Sequence, residues 1–251
     1  MPGSHRHNPE DRQPRGSEIS AILFDKDGTL FSYHETWGPI LHEAASMAAG
    51  GDEGLVPGLL EAVGYDAASG RILAGSVFAG GQTVELATLW RELGVKRELS
   101  RLIEDLDGLF AREAPVRSHP VTDLQALFSV LRRRGLRLGL ATNDGEASAL
   151  ATIRRFGLAE HLEFHCGYDS GYGAKPSPGM VNAFCAALDL GPECVAVVGD
   201  NSHDLDMGRA AGAGLLVGVL TGTSARDDLT PLADAVIESI ADLPTLLDQR
   251  D

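Results

Sequence analysis

Two short acidic clusters hold the residue types that can do chemistry. Asp25 and Asp27 stand two apart, and Gly28 follows at once, letting the backbone turn away sharply. A carboxylate can attack phosphorus and form an aspartyl-phosphate, while a second carboxyl group protonates the leaving oxygen and later activates water. The spacing of the two acids suits that division of labour. A strand ending in an Asx-type turn accounts for the pair equally well when it is taken alone.

The second cluster is Gly199-Asp200-Asn201-Ser202-His203-Asp204. Asp200 and Asp204 can bind a hard cation. Magnesium takes oxygen ligands and keeps several waters, so one or two carboxylates beside a phosphate suffice. In isolation the same pattern marks a turn and a helix cap. Between the clusters lie Thr142-Asn143 and Lys175-Pro176. A strand-end hydroxyl with adjacent backbone N–H groups can hold phosphate oxygens, and a lysine offsets the repulsion between an attacking carboxylate and its ester. Without the other motifs, Lys175 is a surface lysine.

The elements that must position these groups follow from hydrophobic pattern. Ser20 to Phe24 is a short apolar run ending at Asp25, the pattern of a buried strand. Past Phe31 the spacing turns helical, over Thr36 to Ala49, Val84 to Leu93 and Glu98 to Phe110. From Pro120 onward helices and strands alternate. The helices are Thr122 to Arg134, Glu146 to Phe156, Pro178 to Leu188 and Asp204 to Ala211. The strands are Leu136 to Ala141, Glu163 to Gly167, Cys194 to Val198, Leu215 to Leu220 and Ala235 to Ile240. Alternation predicts a parallel sheet, and strands apolar without a break predict cover on both faces. The expected architecture is a three-layer, Rossmann-like α/β core of residues 18–31 and 120–249, interrupted by an all-helical cap of residues 32–119. Such an insertion lies over the carboxyl edge of the sheet, where ligands of open α/β folds bind.

Composition narrows the class. The chain has 251 residues, enough for a core plus an inserted lobe. Its formal charge of -15, from 36 acidic and 21 basic residues, opposes nucleic-acid binding. No apolar run approaches the ~18 residues a membrane span requires. Cys166, Cys185 and Cys194 are odd in number and lack CxxC spacing, which suits reduced thiols and a cytoplasmic protein. Residues 1–17 contain no apolar stretch and are expected to form a disordered arm rather than a signal peptide.

Four elements, FDKDGTL, ATN, KPSP and GDNSHD, stand in one order at strand ends or before a helix leading to one. This order resembles the haloacid dehalogenase-like superfamily. The downstream Ala210-Ala211-Gly212-Ala213 and Gly218-Val219-Leu220-Thr221-Gly222 resemble its phosphoglycolate phosphatase-like branch. The resemblance implies a magnesium-dependent phosphatase for a small phosphate ester, with phosphoglycolate as a candidate. It makes Asp25 the nucleophile and Asp27 the general acid and base, with Thr142, Asn143 and Lys175 on the phosphate. It places Mg²⁺ on the Asp25 carboxylate, the Asp27 backbone carbonyl and Asp200, with Asp204 as a further or outer ligand. At the position of Lys26 the family uses mainly backbone, so its side chain receives no catalytic role.

Other readings and residues are weighed against this one. A dehalogenase of the same fold needs neither Asp27 nor a magnesium cage. A cation-pumping ATPase carries Thr at the position of Asp27 and needs membrane helices. A sugar phosphomutase shares the acids and stands as the alternative, beside a non-catalytic module that binds a phosphate ligand. In the insertion, His34, Trp37, Arg71 and Ser76 are candidate substrate contacts, with Trp37 expected mainly to pack. His203, inside the acidic loop, can touch the site, although a surface position at a helix N-terminus explains it as well, and His161 with His165 is not expected to share a metal. Gly50-Gly51 and Gly80-Gly81 are candidate hinges for lid motion.

Overall fold

The computed structural model describes residues 18–250, so the expected N-terminal arm lies outside the described residues. The chain runs β1 (Ala21–Phe24), α1 (Tyr33–Ala49), α2 (Val56–Ala62), β2 (Tyr65–Asp66), β3 (Arg71–Ile72), α3 (Val77–Gly80), α4 (Thr83–Glu92) and α5 (Leu99–Arg117). It continues through α6 (Leu124–Arg133), β4 (Arg137–Ala141), α7 (Glu146–Arg155), β5 (Leu162–Cys166), α8 (Gly179–Leu188) and β6 (Val195–Gly199). The last elements are α9 (Ser202–Ala211), β7 (Leu215–Val219), α10 (Arg226–Leu229), β8 (Ala235–Ile237) and α11 (Leu243–Asp248).

Six strands form one parallel sheet in the order β5-β4-β1-β6-β7-β8. Successive side chains of a strand point to opposite faces, and here both faces are covered. Ile22 and Phe24 join Leu138, Leu140 and Val198 in one core, while Ala21 and Leu23 join Val195, Val197 and Phe184 in the other. Double burial explains why these strands read as unbroken apolar runs.

The register of the central strands positions the site. Phe24 lies opposite both Leu140 of β4 and Val198 of β6, so the three strands end nearly level. The residues that follow each strand therefore emerge along one edge. From β1 the chain proceeds to β4 and β5 on one side, then to β6, β7 and β8 on the other. This reversal places a topological switch point between β1 and β6, the crevice where α/β sheets bind ligands.

Between β1 and α6 the chain builds a third apolar cluster that includes Trp37, Ile40, Leu41, Trp90, Leu106 and Phe110. Trp90 is fully buried, and its Nε1 donates to the Leu59 carbonyl at 2.9 Å. The incoming and outgoing chains meet at an antiparallel bridge between Phe31 and Pro120, where Ser32 N donates to the His119 carbonyl at 2.8 Å.

The insertion departs from the all-helical expectation in one place. β2 and β3 form a short antiparallel ladder that pairs Tyr65 with Ile72 and Asp66 with Arg71. Asp66 closes its turn by accepting from the N–H groups of Ala68 and Ser69 at 3.0 and 3.3 Å, and Gly70 supplies a φ of 69°. Two-residue strands are too short to show a period of two, so only the turn residues mark them in the sequence.

Candidate active site

Asp25 leaves the end of β1 with its carboxylate almost fully covered. Lys175 Nζ donates to Asp25 Oδ1 at 2.5 Å and to Asp204 Oδ1 at 2.7 Å, so one ammonium bridges the two acidic clusters. Burial pushes the Asp25 carboxyl up to about 7, with Lys175 opposing the rise and Asp204 and Asp27 adding to it. Burial alone would lower the Lys175 ammonium, but Asp204 and Asp25 together carry it above its ordinary value.

Asp200 follows β6 and accepts from the Thr223 N–H at 2.9 Å. Its carboxyl is pushed well above the ordinary range, first by burial and then by Asp25 and Asp204. Gly28 makes the approach of the two loops possible. At φ 92° it turns the chain after β1, and a Cβ there would run into the Asp200 carboxylate.

Asp204 lies in the first turn of α9, two residues after the helix begins at Ser202. Its Oδ2 accepts from Asn201 N at 3.0 Å in a capping box, while its Oδ1 accepts from Lys175. The helix-cap interpretation of GDNSHD is thus realised on one oxygen of the Asp204 carboxylate, while the other oxygen faces Lys175.

Thr142 and Asn143 follow β4, with the Thr142 hydroxyl accepting from Asp144 N at 3.0 Å. Asn143 Oδ1 accepts from Lys175 N at 2.9 Å, and its Nδ2 donates to the Gly80 carbonyl at 2.7 Å. All the sequence-predicted core residues (Asp25, Asp27, Thr142, Asn143, Lys175, Asp200 and Asp204) line one cavity between the sheet edge and the insertion.

The sequence did not reveal how Lys26 is used. Its side chain is fully buried, with Nζ 3.0 Å from Asp27 Oδ2, in a short ion pair with Asp144, and 5.5 Å from the centre of the Trp37 ring. Burial would lower this ammonium, and Asp144 with Asp27 reverses the sign. One Asp27 oxygen is thereby engaged, while Oδ1 is buried without a hydrogen-bond partner. Burial also raises the Asp27 carboxyl, against the pull of Lys26. The Trp37 indole favours the ionised form of Asp27 but does not reach full hydrogen-bond geometry.

In the insertion, Trp37 lines the cavity as well as packing against Phe78 and Phe110. His34, Arg71 and Ser76 do not line it. Arg71 Nη2 and His34 Nε2 are 3.0 Å apart, and Ser76 caps α3 by accepting from Ala79 N. His203 does line the cavity, with its ring against Gly80 and a buried Nδ1 that has no partner. His161 packs against Phe128, while His165 Nε2 is 3.8 Å from Glu146, so they share no site.

Asp25, Asp200 and Asp204 each offer an oxygen within 4.8 Å of the others, a group of carboxylates able to hold a metal ion. A family model described as haloacid dehalogenase-like hydrolase matches residues 19–212. The chain belongs to the haloacid dehalogenase-like hydrolases. Among relatives of this hydrolase, a phosphoglycolate phosphatase of Cupriavidus necator is 34% identical over 125 residues, 49% of this chain and 54% of that protein. The chain thus matches about half the length of that relative. An N-acetylmuramic acid 6-phosphate phosphatase of Pseudomonas aeruginosa is 27% identical over 194 residues, 77% of this chain and 79% of that protein.

Solved structures share the fold. A haloacid dehalogenase-like hydrolase from Bacteroides fragilis superposes with a TM-score of 0.72 at 17% identity, covering 90% of this chain and all of that one. A hydrolase from Pseudomonas syringae gives 0.65 at 19% identity, covering 92% and 99%. At these identities the likeness concerns the fold alone.

Proposed function

We propose that this hydrolase is a magnesium-dependent phosphatase that cleaves small phosphate monoesters through an aspartyl-phosphate on Asp25. The observation that carries the proposal is the placement of Asp25 on the cavity floor, bonded to Lys175, beside an Asp27 whose Oδ1 has no partner. Both named relatives act on phosphate esters, and their leaving groups differ, so the shared chemistry lies at the phosphate end.

A magnesium ion fits the donor set, because Mg²⁺ takes oxygen ligands and three buried carboxylates converge here. Burial first, and repulsion among the acids second, raise the Asp25 and Asp200 carboxyls, and a bound cation would offset both. Asp25, Asp200 and the Asp27 backbone carbonyl would hold it, with Asp204 as a further or outer ligand. When bound, Mg²⁺ neutralises charge on the phosphate oxygens and on Asp25.

In the first step an Asp25 oxygen forms a bond to phosphorus as the bond to the alcohol oxygen breaks. The Asp27 carboxyl gives its proton to that alcohol. In the second step Asp27, now ionised, takes a proton from water, the water oxygen bonds phosphorus, and Asp25 is released with inorganic phosphate. Lys175, Thr142 and Asn143 offer positive charge and hydrogen bonds to the phosphate oxygens, which lessens repulsion between two anions. Residues 18–31 and 120–249 serve as the catalytic core, and residues 32–119 as the cap that closes it.

The free thiols of Cys166, Cys185 and Cys194 support a cytoplasmic setting. Among the described residues no helix is long and apolar enough to cross a membrane.

The test is phosphate release from a panel of small esters with Mg²⁺ or with chelator. Chelator-sensitive release that disappears in Asp25→Asn is the expected result. Release that persists in Asp25→Asn would refute the proposed nucleophile.

A further inference from the structure

The part of the cavity lining that the insertion contributes bears on which alcohol can leave. It is made by the segment 77–83, by Leu86 and by the Trp37 and Phe110 rings. Most of this wall is apolar side chain or peptide. Tyr33, which also lines the cavity, already donates its hydroxyl to the Phe78 carbonyl at 2.7 Å.

Charge is distributed very unevenly. Among the described residues, Lys175 is the single Lys or Arg in the lining, and its ammonium is held by Asp25 and Asp204. Asp25, Asp27, Asp144, Asp200 and Asp204 all line the same cavity. Lys26 is committed to Asp144 and Asp27, and Arg71 to His34 outside the cavity.

Two helix N-termini add positive field: that of α9, which Asp204 already occupies, and the first turn of α4, where Gln82 and Thr83 lie in the wall. Two acids already lie near the α4 turn: the Glu85 carboxylate folds back against Gly81, and Asp107, which accepts from the Tyr168 hydroxyl at 2.8 Å, sits close enough to Thr83 for that hydroxyl to favour its ionised form. Of the His203 ring, Nδ1 is turned into a buried spot against Gly80 and away from an incoming anion.

We infer that the site selects phosphate monoesters whose leaving alcohol carries no negative charge, and that it disfavours leaving groups bearing a carboxylate or a second phosphate. The inference rests on the phosphatase reading above and specifies its substrate class. Lys175, Lys26 behind Asp27 and Asp144, and a bound divalent cation would be matched against five lining carboxylates before any substrate enters. The reacting phosphate takes up that positive charge. A second anion at the far wall meets apolar side chains backed by Glu85 and Asp107, whereas hydroxyl and hydrocarbon groups find peptide groups, Gln82 and aromatic faces.

Three esters of nearly equal size separate charge from shape: phosphoglycolate, ethylene glycol monophosphate and phosphoethanolamine. They differ only in whether the far end is a carboxylate, a hydroxyl or an ammonium. With the full chain and Mg²⁺, kcat/KM for ethylene glycol monophosphate is expected to exceed that for phosphoglycolate by about tenfold or more, as uncompensated like charge demands. Phosphoethanolamine is expected to outrank phosphoglycolate as well. Gln82→Lys, which adds a cation to the wall, is expected to narrow the gap between the neutral and anionic esters.

An active enzyme that cleaves ethylene glycol monophosphate no faster than phosphoglycolate overturns the inference and leaves the phosphatase standing. Failure to release phosphate from any of the three, or from an activated aryl phosphate, overturns the phosphatase and the inference together.

Discussion

Asn143 and Gly80 are joined across the cavity mouth: the Asn143 amide at the end of β4 donates to the Gly80 carbonyl at 2.7 Å. The same side chain accepts from Lys175 N at 2.9 Å, so the residue that carries the ammonium and the segment that roofs the cavity hang on one amide. Gly80 has no room for a side chain, because a Cβ would enter the His203 ring. The contact therefore reports both how the insertion sits on the sheet edge and where Lys175 is held.

Asn143→Ala removes these bonds, with a longer one from Nδ2 to the Lys175 carbonyl at 3.3 Å, and leaves the Gly80 carbonyl and Lys175 N–H unpaired. A stability loss of about 1–3 kcal/mol is expected, measured by urea unfolding. The loss in kcat/KM is expected to be larger, on the order of 10²-fold, because small displacements of positioning groups are costly in the transition state. Equal proportional losses in stability and turnover would reduce Asn143 to a packing residue.

Lys26→Met leaves Asp144 and Asp27 buried without their shared counter-charge. Breaking a buried pair by removing one partner costs about 3–5 kcal/mol, and unfolding midpoints should register it. Lys26→Met combined with Asp144→Asn removes both sides of the pair and is expected to regain part of that loss. Additive losses in the double variant would show that Lys26 and Asp144 do not act as a pair.

These contrasts indicate which features were legible in the sequence. Asp25 and Asp200 were, because each ends an unbroken apolar run, and parallel strands in register bring such ends to one edge. Asp204 was legible from its place four residues after Asp200, although the division of its two oxygens between the helix cap and Lys175 was not. The Lys26–Asp144 pair joins residues 118 positions apart and leaves no periodic trace. Its one local sign was a lysine set between two acids after an apolar run. Arg71 and His34 looked like substrate contacts because both are polar residues in a segment expected to cover the site. Which way a polar side chain of an insertion faces is decided by packing, and here it faces away from the cavity.

The pH dependence of magnesium binding follows from the acids. Asp25 is raised from 3.8 to about 7 and Asp200 moves the same way. Without metal, the folded protein keeps a proton on Asp25 between about pH 4 and 7 that the unfolded chain has released. The folded state then binds more protons, so stability falls as pH rises through that window. Mg²⁺ competes with those protons. Adding MgCl₂ to chelator-treated protein is expected to raise Tm more at pH 8 than at pH 5. Equal shifts at both values would place the ion elsewhere.

The leaving group tests the role of Asp27. If Asp27 Oδ1 carries the proton that the departing alcohol takes, its removal matters most where that alcohol is a poor leaving group. Aryl phosphates leave without much help, whereas alkyl phosphates need protonation as the bond breaks. Asp27→Asn is therefore expected to lower kcat/KM for an alkyl phosphate by roughly 10²–10⁴-fold. For p-nitrophenyl phosphate the fall should be much smaller, because kcat/KM covers only the steps up to the first irreversible one. The second step still needs Asp27 to activate water, so phosphate should accumulate on Asp25 and kcat should fall for both esters. Trapped phosphoprotein measured by rapid quench would separate the two roles. Equal losses of kcat/KM for alkyl and aryl esters would mean that Asp27 shapes the site without transferring the proton.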